Sequence, residues 1–121
     1  AAYLHPYFYG RSIEMVYLLC LDAKCKLLTC RKIAEGNVNS TSLSIRKIVE
    51  TALLANASSV LLAHNHPGGM AIPSYEDIAT TRNVVSALQA VEVRFVDHLI
   101  FCEDDYVSLV QSGYLAEESE E

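Results

Sequence analysis

The sequence has no tryptophan, three prolines, five glycines and four cysteines in 121 residues. So little proline and glycine excludes a collagenous or low-complexity chain. The cysteines, Cys20, Cys25, Cys30 and Cys102, are sparse for a disulfide framework. Their spacings match neither a zinc ribbon nor a redox CxxC pair. Small apolar residues in a reducing cytosol is the reading they support. Positive charge is also scarce: nine basic residues face fifteen acidic ones, for a net charge of −6. Glu117, Glu118, Glu120 and Glu121 carry four of the negatives, and this run reads as a solvated tail. The remainder is still slightly acidic, whereas a domain gripping nucleic acid by its phosphates shows a basic face. Direct nucleic-acid binding by this segment is therefore not expected. Long apolar runs are missing too. The longest extends from Met15 to Leu21, far short of the ~20 residues of a membrane span. The first ten residues carry no basic cluster and include His5 and Pro6, so no signal peptide is expected. A cytoplasmic location without membrane contact follows as the expectation.

What is present is an ordinary globular composition, 51% apolar and 20% charged, of a length suited to one core. Because the chain starts with Ala, an excised domain or processed end is expected. Residues 1–13 then read as the remnant of a linker to an upstream domain, 14–115 as the domain and 116–121 as the acidic tail. The aromatics Tyr3, Tyr7, Phe8 and Tyr9 are expected to pack on the domain or on an upstream segment.

The runs MVYLLCLD and CKLLTCRKI, joined by a short polar link, predict an antiparallel hairpin. Cys20 and Cys30 fall on its two arms. Ser44 has the character of an N-cap, followed by Ile45, Ile48, Val49, Ala52 and Leu53 at helical spacing. Ser59 to Ala63 reads as a strand buried on both faces that delivers His64. The next residues, HNHPGGMAIP, must be loop. Ser74 opens a second helix with Ile78, Val84, Val85 and Leu88 inward, and Val91 to Phe101 returns as a strand before YVSLV. The order β-β-α-β-α-β-β points to a mixed sheet covered by helices, an α/β fold.

Chemistry concentrates in His64-Asn65-His66-Pro67, six residues, then Ser74-Tyr75-Glu76-Asp77. Residues two apart on an extended segment project to one side, so His64 and His66 can share one ion. Pro67 biases His66 toward extended geometry, and Gly68 and Gly69 allow a close backbone approach. Asp77 lies one turn into the helix. Two neutral imidazoles and a carboxylate form a donor set for a catalytic zinc with a fourth position open. Taken singly the pieces are weak: HxH recurs by coincidence, and Ser-x-x-Asp is also a capping box. Their conjunction at the mouth of a buried strand carries the reading. His98 in an apolar strand reads as a satisfied core histidine, with support of the metal ligands as the sharper alternative. His5 reads as a surface residue.

HxHP-x6-SxxD resembles the signature of the JAMM, or MPN-plus, metalloproteases. HNHPGG…PSYEDIATTR, with DAKCKLL upstream and VDHLIF…YVSLVQSGYL downstream, is similar to the bacterial RadC-like branch from about Glu14 to Leu115. The resemblance implies a three-layer α/β/α, cytidine-deaminase-like (JAMM/MPN) fold with a mixed β-sheet. It also implies one Zn2+ per chain on His64, His66 and Asp77, and hydrolysis of peptide or isopeptide amides in a peptide or protein substrate. Gly68-Gly69-Met70 departs from the branch's usual Ser-Gly-Asp and bears on loop detail and substrate contacts. The family places its general base just before the first strand, where Glu14 stands. Without that, a Glu at a strand edge reads as a solvated charge, and Glu35 and Glu76 are the other candidates. Ser74 matches the family's oxyanion-steadying hydroxyl.

The same residues bear on rival functions. RadC-like proteins have been labelled DNA repair factors, so an accessory domain in DNA repair with no protease role is the alternative. A contiguous His-Asn-His is not an HNH nuclease unit. The His-x-Glu and Pro-Cys-x-x-Cys of zinc deaminases are missing. An inactive scaffold typically lacks a ligand, and all three are present here.

Overall fold

The computed structural model describes residues 13–36, 43–66, 75–102, 105–113 and 115. Its elements are β1 (Glu14–Leu21), β2 (Leu27–Gly36), α1 (Ile45–Leu54), β3 (Ser59–Asn65), α2 (Tyr75–Ala90), β4 (Arg94–Cys102) and β5 (Asp105–Ser108). They form one five-stranded sheet in the order β2-β1-β3-β4-β5. The β3–β4 pair is parallel and the other three pairs are antiparallel. The order and the mixed sheet agree with the sequence-based expectation. The aromatics at positions 3–9 and the acidic tail lie outside the described residues.

The β1–β2 hairpin is held at its turn by Asp22, whose Oδ1 accepts from the backbone N–H groups of Lys24 and Lys26 at 2.8 and 2.9 Å. An Asp that mimics a backbone turn in this way is a common hairpin signal. Cys25 closes the turn with φ +64. The far end of β2 stops at Gly36, φ +96, directly opposite Glu14; this left-handed backbone suits glycine. Leu19 pairs with Cys30 and Cys20 with Thr29, so Cys20 and Cys30 sit on opposite faces of the sheet. All four cysteines are free.

Ser44 caps α1: its Oγ accepts from the Lys47 N–H at 3.0 Å. Ile48 and Ala52 are buried, whereas Leu53 is exposed, so the inward stripe of α1 is narrower than its apolar spacing implied. On α2 the buried residues are Thr81, Val84 and Leu88. Both helices cover the same face of the sheet, since Ile48, Ala52, Val84 and Leu88 join one cluster with Val16, Leu18, Val60 and Leu62. The other face gathers Met15, Leu19, Ala63, Leu99 and Phe101. Among the described residues no helix covers that second face, so the described part is two layers of the α/β/α arrangement.

β4 begins at Arg94 rather than Val91 because Val91 and Glu92 form the exit turn of α2, with Glu92 at φ +63. Its pairing with β3 slips by one residue: Val60 faces Phe95 but Leu61 faces Asp97. Such a bulge flips the alternation of everything downstream and re-aims side chains. Here it turns His98 onto the helix-covered face, beside Leu62 and His64.

Candidate metal centre

Three strands and one helix converge on the site. Along β3, Val60 and Leu62 face the helices, so period-two alternation continues to His64 and then His66. His66 lies just past the strand, but its N–H donates to the Phe101 carbonyl at 2.7 Å and so extends the ladder by one residue. β1 runs antiparallel beside it with Val16 opposite His64. Two residues back, Glu14 therefore reaches the same face at the level of His66. From above, the first turn of α2 brings Asp77, its third residue.

His64 is the centre of the group, its side chain 7% exposed. Its Nε2 stands 3.9 Å from a Glu14 oxygen and its Nδ1 3.8 Å from an Asp77 oxygen. His66 Nε2 lies 3.3 Å from the other Asp77 oxygen, and the two imidazoles meet edge to face with centroids 4.8 Å apart. One donor atom each from Glu14, His64 and His66 falls within a mutual 4.8 Å. The structure thus brings together Glu14, His64, His66 and Asp77, four of the five residues singled out from sequence. Ser74 and residues 67–73 lie outside the described residues.

The donors suit a small divalent cation. Two ligands on a tetrahedral zinc, each about 2.1 Å from it, stand about 3.4 Å apart; His66 Nε2 and Asp77 at 3.3 Å already have that spacing, while Glu14 and Asp77 flank opposite nitrogens of the His64 ring, of which one ion takes one. Burial pulls the pKa of His64 down to about 4, against the opposing pull of the Asp77 carboxylate and with a further lowering from His66. The ring is therefore neutral at pH 7 and its lone pair is available. Its Nε2 is buried and accepts or donates no hydrogen bond, an unmet need that a metal would fill. The other base candidates point elsewhere. Glu35 pairs with Lys32 on the edge strand β2, and Glu76 is exposed on the outer side of α2.

Behind the site, His98 stacks on His64 with centroids 5.8 Å apart and Thr81 bridges it to the helix. The Thr81 hydroxyl donates to the Asp77 carbonyl at 2.7 Å, so toward His98 Nδ1, also at 2.7 Å, it must accept. His98 is thereby held as the Nδ1–H tautomer, and its buried Nε2 has no hydrogen-bond partner. Burial, followed by the neighbouring His64, pushes its pKa down to about 3. It is a neutral core histidine tied through Thr81 to the turn that carries Asp77. Thr81 was not legible as a site residue, since a threonine on a helix gives no sign of its partner on another strand. Asn65 was likewise unread: between the two histidines, it points to the opposite face and bonds the chain around Glu14.

Comparison with known proteins places the chain among relatives of one family. The chain is 42% identical over 105 residues to a UPF0758 protein of Bordetella parapertussis, covering 87% of this chain and 47% of that one. It is 41% identical over 104 residues to a UPF0758 protein of Alcanivorax borkumensis, with 86% and 46% covered. A UPF0758 protein of Photobacterium profundum is 37% identical over 113 residues, with 93% and 50% covered. The chain spans about half the length of these curated relatives. Its residues 1–114 match the family model described as RadC-like JAB domain, and with that match the chain belongs to the RadC-like JAB domain family.

Proposed function

We propose that this domain is a zinc-dependent metallo-hydrolase that cleaves peptide or isopeptide amide bonds. The observation that carries the reading is the convergence of Glu14, Asp77 and the neutral imidazoles of His64 and His66, with the buried Nε2 of His64 unpartnered. His64, His66 and Asp77 would hold the ion. When bound, zinc supplies Lewis acidity, which lets water ionise near pH 7 and polarises a carbonyl. Glu14, half-buried at the end of β1, takes the proton from the attacking water and returns it to the leaving amine nitrogen. Ser74, by the family resemblance, donates its hydroxyl to the carbonyl oxygen as negative charge develops there.

Glu14 could instead serve as a third or fourth ligand, because its oxygen lies within the same mutual 4.8 Å as the imidazole nitrogens. The family resemblance, together with Asp77 lying 3.3 Å from His66 Nε2, supports the aspartate as ligand and leaves Glu14 for proton transfer. A peptide and isopeptide cleavage screen of the zinc-loaded domain, wild type against Glu14→Gln, tests the reading. Cleavage by wild type and loss of turnover at unchanged zinc content is the expected result. Equal rates in the two proteins remove Glu14 as the base, and loss of zinc from Glu14→Gln makes it a ligand.

A further inference from the structure

The geometry points to Asn65 as a positioning residue for Glu14. Alternation along β3 sends the Asn65 side chain away from the histidines on either side of it, and it is 3% exposed. There it bonds both flanks of Glu14. Its Oδ1 accepts from the Met15 N–H at 2.5 Å, and its Nδ2 donates to the Ile13 carbonyl at 3.0 Å. The carboxamide therefore holds the peptide groups before and after Glu14 as a neighbouring strand would, where the β1–β3 pairing itself ends at Val16 and His64.

A carboxylate near a strand terminus is ordinarily free to fray with it. The clamp removes that freedom and ties the location of Glu14 to the segment that carries both imidazoles. One tripeptide thus sets two imidazoles on one face and, through its middle residue, the carboxylate facing them. Two opposed hydrogen bonds at once, one given and one taken, need a carboxamide: aspartate cannot donate, and a hydroxyl is too short to span both.

The catalytic consequence rests on the reading of Glu14 as the base; the clamp itself does not. The test therefore has two arms, on Asn65→Ala and, should that variant fold poorly, the isosteric Asn65→Asp, which keeps the acceptor for Met15 and loses the donor for Ile13. In the first arm, NMR of the zinc-loaded protein follows exchange of the Met15 amide and the Glu14 carboxylate carbon. Faster Met15 exchange with a shifted, averaged Glu14 signal and full zinc content is expected. An unchanged Glu14 signal, or a parallel loss of zinc, overturns the proposal, since Asn65 would then serve only the strand or the histidines. In the second arm, on a peptide substrate found by the cleavage screen, kcat should fall on the order of 100-fold at constant KM, the scale of a small misplacement. In a Glu14→Gln background the same substitution should cost nothing further. A full additional loss in that background, or a rise in KM alone, contradicts action through Glu14. A screen that finds no cleavage counts against the hydrolase reading and leaves the first arm to decide the clamp.

Discussion

Acidification of the metal-free domain should destabilise it at pH values where its carboxylates are still mostly ionised. His64 and His98 are both buried and held neutral, with pKa values near 4 and near 3 against 6.5 for a free imidazole. Depressed folded-state values mean that the unfolded chain binds more protons than the native one below pH 6.5. Their contribution is therefore fully present above that pH and is lost as pH falls toward the folded values. Each site costs about 1.4 kcal/mol per pH unit across that window. From pH 7 to pH 5 the two together remove roughly 3–4 kcal/mol, taking each from near-zero protonation bias to nearly its full slope. A domain of this size has on the order of 5–15 kcal/mol in total. Urea unfolding of chelator-treated protein at pH 7, 6 and 5 measures this directly, with ring resonances of the two histidines followed in parallel. Both rings should stay neutral in the folded state down to pH 5 while the urea midpoint falls. A midpoint flat between pH 7 and 5, or a His98 ring that titrates near 6.5, refutes the burial argument.

Other outcomes follow from the same geometry. His64→Ala or Asp77→Ala should bring zinc stoichiometry by elemental analysis close to nil with the circular dichroism of the fold retained; full occupancy in either removes that residue from the ligand set. Ser74→Ala should keep zinc and lose most turnover, with a stability loss of about 1 kcal/mol if it also caps α2; unchanged turnover leaves only the cap. Cys25→Gly should stabilise the domain by about 1 kcal/mol, since Cys25 is exposed at φ +64 in the hairpin turn. A thermal midpoint that drops instead would mean the Cys25 side chain makes contacts that outweigh its backbone strain.

Much of this was legible because the signals are local. The alternation of Val60, Leu62 and His64 projects onto one face whatever lies around it, and Ser44 caps α1 through its own next turn. Asp77 could be placed one turn into α2 by counting. What escaped depends on register. A one-residue slip between β3 and β4 decides whether Asp97 or His98 faces the helices, and nothing in FVDHLIF announces it. Thr81 meets His98 across 17 residues and Asn65 meets Met15 across 50, so their roles appear only once the strands are paired. Leu53 fits the helical stripe of α1 yet stays exposed, because the apolar spacing of one helix does not say how wide a face its neighbours can cover.

X-ray absorption at the zinc edge of the loaded domain tests the metal centre most directly. The account predicts a shell of nitrogen and oxygen donors at about 2.0–2.1 Å, with the outer-ring scattering of two imidazoles. A domain that takes up no zinc, or a shell with sulfur at about 2.3 Å from the cysteines, would contradict it.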